Sequence, residues 1–580
     1  MRTMKDWLGT LSSPIARLCS VAACAAGIAL TAATGAAQGV APKPDQHAAA
    51  LQEPPSDGSP LRFRLLTSEQ YLNTLSSTFG PDFGTMDTRF APMTRTSGLL
   101  ASGAAEAEVN ESKIEAFQAA AAAVAAKIVD ERHRGVLFPC VPASAKAADD
   151  ACAGKFLAGV GRLLYRRPLD DAKLRQLVTE AGAAAGKLND FYGGLAVVLE
   201  GMLISPEVLY VEERAEPDPQ HPGRQRLDAY SLASRLSLFL WDSTPDEALL
   251  DAAQSGEIQT PKGRARIVDA MLKSPRLEVG MRVFFDDMLQ LDDLNVVSKD
   301  PKIYPLYTGE TTADAREQTL RTIVDQLITK KKDYRDLFTT HDTFLSTSLG
   351  AIYDVPVNGV GWTPYESPPN SQRVGLLSEI AFLADHAHPG RSSPTRRGKA
   401  LREILLCQQV PRPPPNVDFS LVDNPSATLH TAREKLTAHR KNPVCAGCHR
   451  ITDPIGLALE DFDGAGQFRT TENGETIDTS GDLNGKHFND AAGLAQVVHD
   501  DPAVPSCLVT RLFAYGAGGP LSPTDNGTLA YLNARFAAQG YRLPDLLRTI
   551  ALSNAFSEID EPPADLTKAA SLTSPVVQQP

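Results

Sequence analysis

Beyond its first forty residues the sequence contains no apolar run long enough to cross a bilayer. The longest, near Phe191–Ile204, is interrupted by Glu200 and reads as a buried helix. A basic surplus is also missing: the formal charge is -13, and no basic stripe interleaved with aromatics appears, which argues against nucleic-acid binding as the main task. No Ser/His/Asp triad, phosphate-binding glycine loop or HExxH sequence is legible. Carboxylates abound but cannot be paired by spacing, so the catalytic residues stay unassigned. Strand-like alternation is scarce, which makes the expected fold class mainly α, with several consecutive helical domains. Cysteine is scarce too, at eight residues in 580.

At the N-terminus, Arg2, Lys5 and Arg17 precede an Ala-rich apolar run from Leu18 to Ala37, the pattern of a secretory signal over 1–37. Val21-Ala22-Ala23-Cys24 also has the look of a lipoprotein box, and a retained anchor is the third reading. Membrane attachment is expected only if the N-terminus is retained or lipidated. Removing 1–37, with three basic residues and one acidic, takes the formal charge from -13 to -15. Six cysteines remain after Cys19 and Cys24 are removed. In an exported chain, at the cell surface or in the periplasm, these become disulfides or cofactor attachments. Cys140 with Cys152, and Cys407 with Cys507, are the expected disulfides; buried free thiols are the alternative.

Punctuation by Gly, Pro and capping residues divides the rest. A flexible leader (38–60) precedes an N-terminal helical domain (61–135), a second helical domain (136–215) and a central helical domain (222–354). A Gly/Pro-rich stretch, Val355–Asn370, is the clearest internal boundary. It leads to a CxxCH-bearing region (371–470), a C-terminal helical domain (471–560) and a disordered tail (561–580). Thr67 with Gln70 forms a capping box ahead of Tyr71, Leu75 and Phe79. Asn110 caps a helix with Ile114, Phe117, Ala121, Val124 and Ile128 on one face. Asp228 caps a helix that turns Leu232, Leu236, Phe239 and Leu240 inward, and Thr244-Pro245 starts the next. Further helices are expected over 373–384 and 394–407, followed by a stiff connector at Pro411–Pro415.

Cys445-Ala446-Gly447-Cys448-His449 carries the chemistry. In this pattern two thiols add to haem vinyl groups, and the next residue offers its imidazole to the iron as proximal ligand. A thioredoxin-like pair would need a βαβ setting, and zinc would need a second Cys/His pair at finger spacing; neither is present. The expected cofactor is therefore one covalent haem c. No methionine follows His449, so the sixth ligand is an upstream methionine, a histidine, or absent. His388, His386, His487 and His499 are the histidine candidates, with His388 favoured because it precedes a helix of the same domain. Ile455, Leu457 and Phe462 are the expected wall residues, and Arg450 and Arg469 the expected partners for the propionates. Asp461-Phe462-Asp463-Gly464 hints at calcium but lacks a full ligand set and reads as a turn.

Leu66-Thr67-Ser68-Glu69-Gln70-Tyr71, Tyr165-Arg166-Arg167-Pro168-Leu169, Ala229–Pro245, Ser393-Pro394-Thr395-Arg396-Arg397-Gly398 and Cys445–Asp463 together carry a resemblance. From Leu61 to Phe556 the chain resembles a large family of exported bacterial proteins, abundant in planctomycetes and myxobacteria, built from five consecutive domains of unknown function. The resemblance implies a cytochrome-c-like unit on helical domains and leaves the substrate open. The expected function is one-electron transfer to or from an unidentified redox partner protein. The alternatives are a haem-dependent peroxidase or oxygenase acting on an extracellular substrate, and a scaffold whose CxxC is structural.

Overall fold

A computed structural model describes residues 51–56, 58–85, 93–107, 111–412 and 429–560. The expected signal segment, the cap at Asn110, the end of the proline run and the tail lie outside the described residues. The fold is mainly α with short two- and three-stranded sheets.

The first helices gather where the apolar periodicity puts them. α1 (Ser68–Phe79) starts at the Thr67/Gln70 capping box and buries Tyr71, Leu75 and Phe79. α2 (Glu111–Ile128) buries Phe117, Ala121, Val124 and Ile128, but its Ile114 is exposed, so the inward stripe begins one turn later than expected. α3 (Asp150–Leu164), α4 (Asp171–Leu188) and α5 (Phe191–Leu203) close this core with Phe156, Leu157, Leu195 and Leu199. The expected disulfide between Cys140 and Cys152 is formed and fastens the preceding loop to α3.

A second, larger core runs from Leu99 to Ile559. α6 (Ala229–Trp241) begins at Asp228, whose carboxylate accepts from the Ser231 N–H, and it buries Leu232, Leu236, Phe239 and Leu240. The next helix starts at Glu247 with Asp246 as its cap, two residues later than Thr244-Pro245 suggested; Thr244 is buried and donates its hydroxyl to the Leu163 carbonyl instead. α7 (Arg276–Met288) and α8 (Gly309–Val324) complete the central part. Strands β1 (Phe63–Leu65) and β2 (Tyr210–Glu212) pair antiparallel. β3 (Ala215–Pro217), β4 (Gln225–Leu227) and, from the far end of the chain, β11 (Glu558–Ile559) form one sheet in the order β11-β4-β3. Beside it Arg235 and Glu213, both buried, pair at 2.5 and 2.7 Å, and Arg235 also donates to the Ser59 hydroxyl and the Phe556 carbonyl.

The Gly/Pro-rich stretch at 355–370 contains β6 (Thr363–Glu366), which pairs back with β5 (Asp342–Leu345). Over 373–384 the expected helix is shorter. A 3-10 turn at Leu376–Ser378 precedes α9 (Ile380–Asp385), because Glu379 between them is extended and turns its carboxylate to Thr319, Thr322 and Thr343. α10 (Pro394–Ala400) is followed by a π-turn at Leu401–Leu405. Cys407 and Cys507 form the second expected disulfide, tying the end of that turn to α13 (Ala503–Ala517). Between these elements lie α11 (Ala432–His439) and α12 (Pro443–Leu457), then the hairpins β7 (Thr471–Glu472)–β8 (Glu475–Thr476) and β9 (Gly481–Leu483)–β10 (Lys486–Phe488). Among the described residues no helix is long and apolar enough to cross a membrane.

Candidate functional site

α12 carries Cys445, Cys448 and His449. Asn442 caps it by accepting from the Val444 N–H, and Pro443 occupies the first turn, where a missing N–H costs nothing. Spacings of three and four residues place both sulfurs and the imidazole on neighbouring positions of one face. Both cysteines are free thiols; Cys445 is buried, and Cys448 lies 3.3 Å from the Pro411 carbonyl.

Close packing fixes α12 against α10. A Cβ on Gly398 would stand 1.9 Å from the Thr452 carbonyl oxygen, and one on Gly456 would stand 1.8 Å from the Pro394 carbonyl oxygen. Two glycines facing opposite ways thus let the backbones touch, which delivers Thr395 to the histidine. His449 Nδ1 lies 3.0 Å from both carboxylate oxygens of the fully buried Asp453, one turn on, and Thr395 donates its hydroxyl to the same carboxylate at 2.8 Å. A carboxylate only accepts, so Nδ1 carries a proton and donates it to Asp453. A carboxylate behind an imidazole is the arrangement that orients histidines towards metals and raises their basicity.

In front of His449 opens a cavity of about 390 Å³, with His388, Thr395, Arg396, Lys435 and His439 in its wall. His439 is 2 % exposed, its ring meets that of His449 edge to face at 4.7 Å, and its Nδ1 has no hydrogen-bond partner. Burial, and then the neighbouring His449, lower its pKa. Arg396 donates to the carbonyls of Ala387 and Asp385, and Lys299 donates to those of Ala384 and His388, so the loop bearing His388 is held from both sides.

The remaining expected residues are distributed elsewhere. Ile455, Leu457 and Phe462 are buried, and none of the three lines the cavity. Arg469 pairs with the buried Glu460 at 3.0 Å and donates to Ser392, which does line it, while Arg450 is exposed. Of the four candidate histidines His388 alone is in the cavity wall. His386 is partly buried and outside that wall, with its pKa pushed down to about 3 by desolvation and by Arg396, Arg397 and Lys299. His487 is exposed, and His499 lies beside Asp336 and Asp500. Asp461–Gly464 is a turn: Asp463 accepts from the N–H groups of Ala465 and Gln467, and no cluster of metal-binding side chains is found among the described residues. Arg397, fully buried, donates to the carbonyls of Leu383, Leu459, Phe462 and Asp463, and so fastens this turn to α9.

Sequence reasoning missed His439, Asp453, Thr395, Arg396 and Lys435 as site residues. Asp453 could have been found from its place four residues after His449 on one helix. The others come from separate elements.

Four family models match the chain in succession. Each is described as a protein of unknown function: DUF1595 over 152–213, DUF1592 over 227–355, DUF1588 over 373–472 and DUF1585 over 484–556. The chain is thus a multidomain protein built from families of unknown function. Cys445, Cys448, His449 and the cavity wall all fall within the DUF1588 match, whose model is named PSCyt3. No curated protein and no solved structure matches the chain.

Proposed function

We propose that the protein is an exported c-type haem protein that passes single electrons to or from a redox partner protein. The supporting observation is the pairing of two free thiols at CxxCH spacing with a histidine whose Nδ1 is taken by Asp453 and whose ring lines a cavity. The donor set suits the group. Cys445 and Cys448 would attach it, and His449, whose ring lines the cavity, would hold the iron. A c-type haem bound there would supply reversible one-electron chemistry.

The chain's own residues contribute orientation and charge. Asp453 and Thr395 fix the tautomer and direction of His449. Arg396 and Lys435 bring positive charge to the cavity wall, suited to a carboxylate-bearing ligand. Export accords with the signal-like N-terminus and with two formed disulfides, which persist in oxidising compartments.

Expression of the full chain with a cytochrome c maturation system, followed by a pyridine haemochrome assay, tests the reading. One covalent haem per chain is expected, with loss of the covalent fraction in Cys448→Ser and loss of iron ligation in His449→Ala. A wild-type protein that leaves maturation without haem overturns it.

A further inference from the structure

The corner between α11 and α12 inverts the charge of the chain. Residues 430–450 carry five Lys and Arg against one Glu, whereas the whole sequence carries 57 Lys and Arg against 70 Asp and Glu. Glu434 is occupied at the start of α11, where it accepts the N–H groups of His430 and Thr431. Of the cations, Arg433 pairs with Asp478 at 3.1 Å and Lys435 lines the cavity. The other three, Arg440, Lys441 and Arg450, have no ion-pair partner among the described residues. Seven residues of helix span about 10 Å. That is the Debye length at about 0.1 M salt, so these cations act together on an approaching molecule while the more distant acidic remainder is screened.

The same corner opens an apolar centre to solvent. Pro443, Val444, Gly447 and Arg450 fall on one side of α12, and all four are exposed. Val444 is 59 % exposed, and a Cβ on Gly447 would meet nothing within 4 Å. Lys441 precedes this side and Arg450 closes it, which gives an apolar middle with a charged rim. Cys448, the more exposed of the two thiols, stands one turn after Val444 at its margin.

We propose that this corner is the docking surface for the redox partner, and that the partner presents an acidic protein face to it. The partner's role as an electron carrier rests on the haem reading above; the surface rests on charge and exposure. One electron crosses at each encounter, and no bond is made or broken. A compact acidic face can cover the patch, whereas a nucleic acid or an anionic bilayer extends past it and meets like charge on the rest of the chain. Opposite local charge steers the encounter and raises its rate by about 10–1000-fold at low salt.

Two measurements on the full chain test this. Retention on immobilised poly-L-glutamate needs no haem: the wild type should be held at low salt and released by added salt, and Lys441→Glu/Arg450→Glu should pass through. Lys187→Glu/Lys262→Glu, at two exposed lysines elsewhere, changes the net charge equally and should stay held. A wild type that passes through, or equal loss of retention in both double variants, overturns the surface. In the haem-loaded protein, oxidation by the anion hexacyanoferrate(III) should slow as salt rises, although the net charge of the chain demands the reverse. Lys441→Glu/Arg450→Glu should lower the low-salt rate about tenfold. A wild-type rate that rises with salt overturns docking of an acidic carrier here. So does wild-type binding to phosphatidylglycerol vesicles that Lys441→Glu/Arg450→Glu abolishes, which would make the corner a membrane contact. A wild type without haem removes the electron-transfer role, and retention on poly-L-glutamate still decides whether the corner binds acidic chains.

Discussion

At the scale of single residues, the buried charged groups have the most testable consequences. Asp242 ends α6 in the left-handed region, at φ 51°, and is fully buried. Its carboxylate accepts from the Tyr515 hydroxyl at 2.6 Å and the Asn73 amide at 3.0 Å, yet burial outweighs these bonds and raises its pKa from 3.8 to about 7. Between those values the folded chain holds a proton that the unfolded chain has lost. The contribution to stability is therefore full below about pH 4 and is lost as pH rises through 7, by roughly 4 kcal/mol. Asp242→Asn keeps an acceptor for Tyr515, and Asn tolerates the left-handed backbone. Urea midpoints at pH 5 and pH 8 should fall further for the wild type than for this variant. Equal falls would mean that the carboxyl ionises as it does in water.

At the scale of elements, capping and cysteine chemistry were legible, and buried charge was not. The Thr67/Gln70 box, the Asp228 cap and both disulfides follow from local rules that need only neighbours in sequence or the compartment. His439 was missed because α11 is short and polar, with only Leu436 and His439 buried, so no apolar period announces its inner face. Glu379 and Arg397 were equally hidden. A charged residue in a sequence reads as solvated, and only the fold reveals three threonine hydroxyls around one and four carbonyls around the other. The CxxCH spacing gave the thiols and the histidine, while the cavity wall came from four separate stretches of chain that no spacing rule connects. The disulfides also differ in what they hold. Cys407 and Cys507 are 100 residues apart and Cys140 and Cys152 only 12, so closing the longer loop removes more entropy from the unfolded chain. Replacing Cys407 and Cys507 by serine should cost about 2–5 kcal/mol and more than the same change at Cys140 and Cys152. Thermal or urea unfolding of the two double variants checks the order; a reversed order would show that native packing around the short loop, rather than chain entropy, dominates.

At the scale of the whole molecule, the succession of family matches suggests units that fold separately, and the packing argues otherwise. The 373–472 match contains the CxxCH helix and the cavity wall, but its interior is completed from outside. Thr319, Thr322 and Thr343 supply all three hydroxyls on Glu379, Lys299 holds the Ala384 and His388 carbonyls, and Tyr304 accepts from the Gly464 N–H. The Arg373 guanidinium lies over the Tyr353 ring at 3.9 Å. Leu376, Leu377, Ile380 and Leu401 belong to a core shared with residues from Leu99 to Ile559. Each donor lost from a group that stays buried costs about 1–3 kcal/mol, against a typical domain stability of about 5–15 kcal/mol. Excising 373–472 would remove several such contacts at once and expose an apolar face. The isolated fragment should therefore lack a cooperative unfolding transition and be degraded by protease under conditions where the full chain survives. A fragment that unfolds cooperatively in urea, with a near-ultraviolet circular dichroism signal of its own, would show that the cavity is built by this stretch alone and that the surrounding helices serve to dock a partner rather than to complete the core.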